Sequence, residues 1–136
     1  MYCAFHYILT ILAGLSIARL AAALHIFIFY IESLAWTTKG VKIFGLTPLQ
    51  AEQTKEIAYN QGFYNLFLAL IATIGTIFHF AGSPRVGLAL ALAGTGSMLA
   101  AALVLFLSSP EKRAAAIKQG ALPLLAVALL AIGALS

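Results

Sequence analysis

Three observations predict that this chain folds as an all-α, polytopic bundle of four transmembrane helices. Of its 136 residues, 62% are hydrophobic and only 9% are charged, against about 25% charged residues in a typical soluble domain. Its apolar residues form four stretches of roughly the 20 helical residues that a bilayer core requires. Turn and helix-start signals separate these stretches. We therefore interpret the whole chain as a single integral membrane domain.

The predicted spans follow from the bounds of the apolar stretches. They cover residues 14–36, 57–80, 86–107 and 114–136. The first stretch is too long for one crossing, and we count back about 20 residues from Trp36 as an interfacial anchor. This count predicts that residues 1–12 are an apolar extension along or above the membrane surface. Arg19 then lies within a turn of the outer boundary, as a flanking residue that reaches the headgroups.

The connections between the spans carry local signals. Residues 39–45 contain lysines and glycines and are predicted as a loop. Residues 47–50, Thr-Pro-Leu-Gln, have the N-cap, first-position proline and third-position glutamine of a helix start. Residues 109–111, Ser-Pro-Glu, repeat that start before the last span, and residues 81–84 predict a tight turn.

The basic residues predict the orientation. One side of the membrane carries Lys39, Lys42, Lys55, Lys112, Arg113 and Lys118, and the other carries Arg85 and Arg19. The positive-inside rule then places both longer loops in the cytoplasm and both termini outside a cell (inner or plasma) membrane. The net charge of +4 is explained by these loops, so no nucleic-acid partner is predicted.

Two polar clusters inside predicted spans are the candidate functional residues. They are His25, Glu32, Trp36, Asn60, Gln61, Tyr64 and Asn65. Burying such side chains in hydrocarbon is costly unless they find partners. The first three fall on one stripe of an α-helix, and the other four share a broad face. We therefore predict an intramembrane polar pocket between spans one and two, and these residues are its ligand-binding candidates.

Matching the depths of two antiparallel spans predicts specific contacts. Glu32 should lie level with Asn60 and Gln61, and His25 level with Tyr64 and Asn65. A Glu–amide contact and a His–Tyr or His–Asn contact would satisfy these groups. Alternatively, Glu32 only locks the two helices together.

Catalytic and metal-binding residues are not predicted. His25 could ligate a metal or haem iron, but His79 should lie at the opposite membrane edge, which disfavours a bis-histidine site. The sequence leaves the cofactor open. Cys3 is the single cysteine, so no intramolecular disulfide can form.

Several motifs give the chain a family resemblance. They are His25-x6-Glu32-x3-Trp36, Phe44-Gly45-Leu46, Asn60-Gln61-Gly62-x-Tyr64-Asn65-x-Phe67-Leu68-Ala69 and Gln119-Gly120-x2-Pro123. Over roughly residues 14–130 the chain resembles a family of small bacterial inner-membrane proteins known only as a domain of unknown function. The resemblance implies a four-helix membrane protein and no established activity. One departure is Leu24, where family members tend to have glutamate.

Three functions are compatible with these features. The leading hypothesis is a protein that binds or transports a small, partly apolar molecule in the polar pocket. The alternative is an accessory or structural subunit of a larger membrane complex, or a homo-oligomer, with the polar cluster serving helix packing. A membrane enzyme with Glu32 or His25 as general acid or base ranks lowest, because no nucleophile–base pair accompanies them.

Overall fold

The protein is a bundle of long helices, which confirms the predicted fold class. The computed structural model describes residues 2–135, and the side chains of residues 5–135. Four helical segments are long and apolar enough to cross a membrane: Phe5–Leu34, Pro48–Phe80, Pro84–Ser108 and Pro110–Leu135. No strand occurs among the described residues.

The helices follow one another along the chain with short connections. In order, they are α1 (Tyr2–Phe29), a first π-helical segment (Tyr30–Leu34), a second π-helical segment (Trp36–Gly40), α2 (Val41–Phe44), α3 (Pro48–Phe80), α4 (Pro84–Ser108), a 3₁₀ turn (Pro110–Lys112) and α5 (Arg113–Leu135). Helix α1 packs on α3 and α5, and α4 also packs on both, so the four long helices form a closed ring.

The predicted extension at residues 1–12 continues α1 without a break, as far as it is described. Ile11 is buried and packs with Leu130, and its side chain lies against Gly133 near the end of α5. Because α1 and α5 are antiparallel, the turns before Ile11 continue toward and past the end of α5. The described part of this segment is therefore a helical prolongation of the bundle.

The predicted loop at residues 39–45 is mostly helical. Ala35 lies between the two π-helical segments and leaves helical geometry, with φ −132° and ψ 22°. After it the chain winds in wide turns, in which the Ala35 carbonyl accepts from Gly40 N at 2.9 Å. The helical path ends only at Gly45, which adopts φ +65°. The loop prediction was wrong because the glycine at position 40 is used for packing against Trp36 and not for a turn.

The helix start predicted at residues 47–50 is confirmed in detail. The Thr47 hydroxyl accepts from Gln50 N at 3.2 Å, and the Gln50 side chain accepts from Thr47 N at 2.9 Å. These two bonds form a capping box, with Pro48 in the first turn. Helix α3 contains 33 residues, about 50 Å at 1.5 Å per residue, so its first turns project beyond a bilayer core of about 30 Å.

Small residues bring the helices close together. One core cluster contains Ala21, Ala22, Ala69, Ala72 and Met98. A Cβ atom on Gly75 would collide with the backbone of α4 at Ala91. Such contacts let helix backbones approach closely in an apolar medium, where packing and interhelical hydrogen bonds replace the hydrophobic effect.

The α3–α4 contact also fixes relative depth. Gly94 of α4 lies against Ala72 of α3. Counting the same number of residues along these antiparallel helices from that contact places Ser108, the last residue of α4, about level with Ala58. Helix α4 has 25 residues, about 37 Å, so its two ends reach both edges of a bilayer core.

Candidate functional site

The Glu32 carboxylate contacts an amide of the second span, but the amide is that of Asn65 and not of Asn60 or Gln61, which the depth match predicted to lie level with it. The Asn65 Nδ2 atom donates to Glu32 Oε2 at 2.9 Å, and both side chains are half-buried. The same Asn65 amide also donates to the Gln61 backbone carbonyl at 3.1 Å. Glu32 lies in the first π-helical segment, so its carboxylate is directed at α3 from widened helical turns. We call this Glu32–Asn65 pair the clasp.

A second interhelical bond lies one turn away. The Ser33 hydroxyl donates to the Tyr59 backbone carbonyl of α3 at 2.8 Å. Gly62 makes this approach possible, because a Cβ atom there would lie 3.1 Å from the Phe29 carbonyl oxygen and collide with the Ser33 side chain. The two helices therefore meet closely where the chain changes from α- to π-helical winding. Such π-helical turns within helices are frequent at functional sites.

His25 does not form the predicted contact with Tyr64 or Asn65. Its side chain is fully buried, and Nδ1 bonds to the Ala21 carbonyl oxygen at 2.9 Å. The imidazole nitrogen Nε2 has no hydrogen-bond partner among the described residues. The four-residue spacing lets the ring bond within its own helix, which replaces the contact to α3. Nδ1–H as the donor leaves Nε2 as an unpaired acceptor.

Trp36 extends the contact between the two helices beyond the clasp. Its Nε1 donates to the Thr54 hydroxyl at 3.1 Å, and its ring lies 5.2 Å from the Phe44 ring centroid. Phe63 adds a further aromatic contact in the same region, at 5.1 Å from Phe29. Ring contacts and hydrogen bonds thus join α3 to the chain segment that precedes it.

The other three predicted residues point away from α1. Asn60, Gln61 and Tyr64 are exposed, and Tyr64 keeps 64% of its surface accessible. Their side chains make no hydrogen bond within the part of the chain that the structure describes. Helix rotation explains the division, because Gly62 and Ala69 occupy the packed side of α3 and direct Asn60 and Tyr64 outward. We call Asn60, Gln61 and Tyr64 the outward polar face.

Two depressions in the described surface lie away from the clasp. One groove is lined by residues of α1 and the end of α3, and another by Glu52, Lys55, Glu56 and Tyr59. Neither of the two is lined by His25, Glu32 or Asn65. Across residues 5–135, no group of three or more His, Cys, Asp or Glu side chains is placed to hold a metal ion.

Sequence reasoning missed Ser33 and Thr54, which supply hydrogen bonds between the helices. A serine directly after a buried glutamate on the same helix is a signal that could have indicated Ser33. Thr54 lies in α3 before the predicted second span at residues 57–80, and no sequence pattern pairs it with Trp36.

The four long apolar helices define a multi-pass membrane protein. Residues 19–131 match a family described as protein of unknown function, DUF1304, and the chain belongs to that family. All the residues that carry the resemblance noted from the sequence, from His25 to Pro123, lie within this match. Comparison with curated proteins and with solved structures found no match.

Proposed function

We propose that this protein is a subunit of a larger membrane assembly and binds a further membrane-spanning polypeptide through its outward polar face. The observation that carries the proposal is the exposure of Asn60, Gln61 and Tyr64 on α3. The proposal corresponds to the alternative hypothesis from the sequence, an accessory or structural subunit, and not to the binding or transport of a small molecule.

The depth of this face makes its exposure costly. Tyr64 lies six residues beyond Ala58, which is level with the end of α4, and therefore about 9 Å further into the bundle. Asn60 and Gln61 lie about one turn or less inside the same level. A Tyr64 hydroxyl without a partner at such depth loses the hydrogen bond that water would supply, whereas the two amides lie close to the edge of the core. A polypeptide that offers donors and acceptors at this depth would restore that hydrogen bond.

The fold itself does not need these three side chains. The amide of Asn65 already satisfies Glu32, and Ser33 already satisfies the Tyr59 carbonyl. Asn60, Tyr64 and Phe67 follow at helical spacing, and Phe67 is also exposed. Tyrosine and phenylalanine are enriched in the cores of protein interfaces. The face therefore has the composition of a contact surface.

Site-specific photo-crosslinking tests the proposal. With p-benzoylphenylalanine in place of Tyr64, cells should yield a cross-linked polypeptide of a single defined mass. The same residue in place of Val104 is the matched control, because Val104 is equally exposed, at 65%, on α4. The double variant Asn60→Leu and Gln61→Leu should reduce the Tyr64 cross-link at least fivefold, because it removes about two interfacial hydrogen bonds of roughly 1 kcal/mol each. Cross-linking to lipid alone, or equal polypeptide cross-linking from both positions, would contradict the proposal.

A second candidate function keeps the predicted ligand-binding role of His25, Glu32 and Asn65. The observation that favours it is the buried, unpaired Nε2 atom of His25. A small, partly apolar molecule with a hydroxyl or amide donor could bind this nitrogen if the helices separated. Mass spectrometry of the purified protein should then detect the molecule and show its loss in His25→Phe. Its equal retention in His25→Phe would exclude this site.

We also propose that the protein lies in a cell (inner or plasma) membrane with both termini outside the cytoplasm. Support comes from Lys39 and Lys42, which precede the connection to α3, and from Lys112 and Arg113, which lie where α5 begins. In a Cys3→Ser background, Leu135→Cys should react with a membrane-impermeant maleimide in intact cells. Lys42→Cys should react only after the cells are opened. The reverse labelling pattern would show that both termini lie in the cytoplasm and would contradict this orientation.

A further inference from the structure

An open groove lies at the opposite end of the bundle from the clasp. It runs between α1 and the last turns of α3 and has a volume of about 490 Å³. Ile77 and Phe80 form apolar walls and are exposed, at 58% and 60%. The residues that line it are Arg19, Thr73, Thr76, Ile77, Phe80 and Ala81. It therefore combines one cation with an apolar surface.

The Arg19 guanidinium is the group in this groove that keeps hydrogen-bond donors available for a ligand. Its Nη2 donates to the Ser16 hydroxyl at 3.1 Å, and a guanidinium carries five N–H donors. The hydroxyls of Thr73 and Thr76 donate instead to backbone carbonyls of their own helix, at 2.7 and 3.1 Å. Ser16 precedes Arg19 by one turn, so the bond directs the guanidinium toward the end of the bundle.

No acidic side chain among the described residues is a counterion for this cation. The chain has four acidic side chains: Glu32, Glu52, Glu56 and Glu111. Glu32 lies at the clasp, Glu52 and Glu56 lie in the first turns of α3, and Glu111 precedes α5, so all four belong to the opposite end of the bundle. Arg19 forms no ion pair with any described carboxylate. An exposed cation without a carboxylate partner gains a favourable Coulomb interaction from a ligand that carries the opposite charge.

We propose that this groove is a binding site for an anionic phospholipid. The guanidinium fork donates to the phosphate oxygens in the paired geometry that arginine favours with phosphate. The exposed side chains of Ile77 and Phe80 supply the apolar contacts to the lipid. Charge complementarity selects a lipid with net negative charge over a zwitterionic one.

Native mass spectrometry of delipidated protein with added lipid tests this site. Phosphatidylglycerol should bind in preference to phosphatidylcholine of the same chain length. Arg19→Gln should reduce bound phosphatidylglycerol about tenfold or more, because it removes the charge-assisted hydrogen bonds to the phosphate. Arg19→Lys should bind an intermediate amount, because it keeps the charge and loses the fork. Arg85→Gln is the matched control, since Arg85 lies near the same end outside the groove, and it should bind within about twofold of the unmodified protein.

Three results would overturn the proposal. Equal loss of lipid in Arg19→Gln and Arg85→Gln would show general charge attraction. Equal retention of the two lipids would show that net negative charge is not recognised. Displacement of the lipid by inorganic phosphate at equal concentration would show that the groove recognises the anion without the acyl chain. Circular dichroism of each variant, unchanged from the parent protein, confirms that the comparison concerns folded protein.

Discussion

Replacing Gly62 with alanine is expected to separate α1 from α3 and to lower the free energy of unfolding by about 1–3 kcal/mol. The added Cβ would lie 3.0 Å from Ser33 N and 3.1 Å from the Phe29 carbonyl oxygen, and it would collide with the Ser33 side chain. Backbone atoms cannot move aside as a flexible side chain can, so the helices themselves must shift. The Ser33–Tyr59 hydrogen bond should lengthen or break as a result.

Gly96→Ala provides the matched control. Gly96 lies within α4, and a Cβ atom there would meet nothing within 4 Å. The substitution should leave stability unchanged or raise it by up to about 1 kcal/mol, because alanine favours helix over glycine. Unfolding in mixed micelles with increasing dodecyl sulfate, followed by circular dichroism, measures both variants. Equal stability of Gly62→Ala and Gly96→Ala would show that the close approach at Gly62 is not required.

Replacing Asn65 with leucine should also lower the free energy of unfolding by about 1–3 kcal/mol. The Glu32 carboxylate would lose the hydrogen bond that Asn65 Nδ2 donates at 2.9 Å. A polar group left unpaired in a half-buried position bears the cost of desolvation without compensation. Asn65→Asp should be at least as unfavourable, since it places two acidic groups against each other.

Glu32→Gln is the control for this series, because its amide oxygen can still accept from Asn65. Its stability should stay within about 1 kcal/mol of the parent protein. The same unfolding assay ranks the three variants. If Asn65→Leu is as stable as Glu32→Gln, the clasp does not hold the two helices together.

Variants of the outward polar face should affect partner binding without affecting stability, unlike the variants above. Asn60→Leu and Gln61→Leu remove side chains without any hydrogen bond in the described structure, so they should leave unfolding nearly unchanged. Loss of a partner without loss of stability would therefore identify a contact surface. The clasp variant Asn65→Leu should instead lower the free energy of unfolding.

The sequence was most informative where local chemistry decides the structure. Thr47 and Gln50 predicted the start of α3 because the capping box involves only neighbouring residues. The chain's apolar composition predicted four spans in the same way. The π-helical winding from Tyr30 to Gly40 was not predictable, because it depends on the contacts of Ser33 and Trp36 with α3.

The division of the polar residues on α3 could have been predicted only in part. Asn60, Gln61, Tyr64 and Asn65 cover a wide arc of one helix, so their positions alone do not fix its rotation. The small residues Gly62 and Ala69 mark the packed side, and Asn65 lies near that side. Weighting small residues above polar ones would have selected Asn65 for the contact with Glu32. The internal bond of His25 to Ala21 had no comparable signal.

Native mass spectrometry of the protein, extracted gently from its own membrane, tests the proposed subunit role most directly. A complex with a further polypeptide at fixed stoichiometry is expected. That complex should dissociate in the Asn60→Leu and Gln61→Leu double variant and persist in Val104→Ala. A monomer that carries only a small molecule, which is lost in Glu32→Gln, would contradict the subunit role. It would instead show that the region between the first two spans is a binding site.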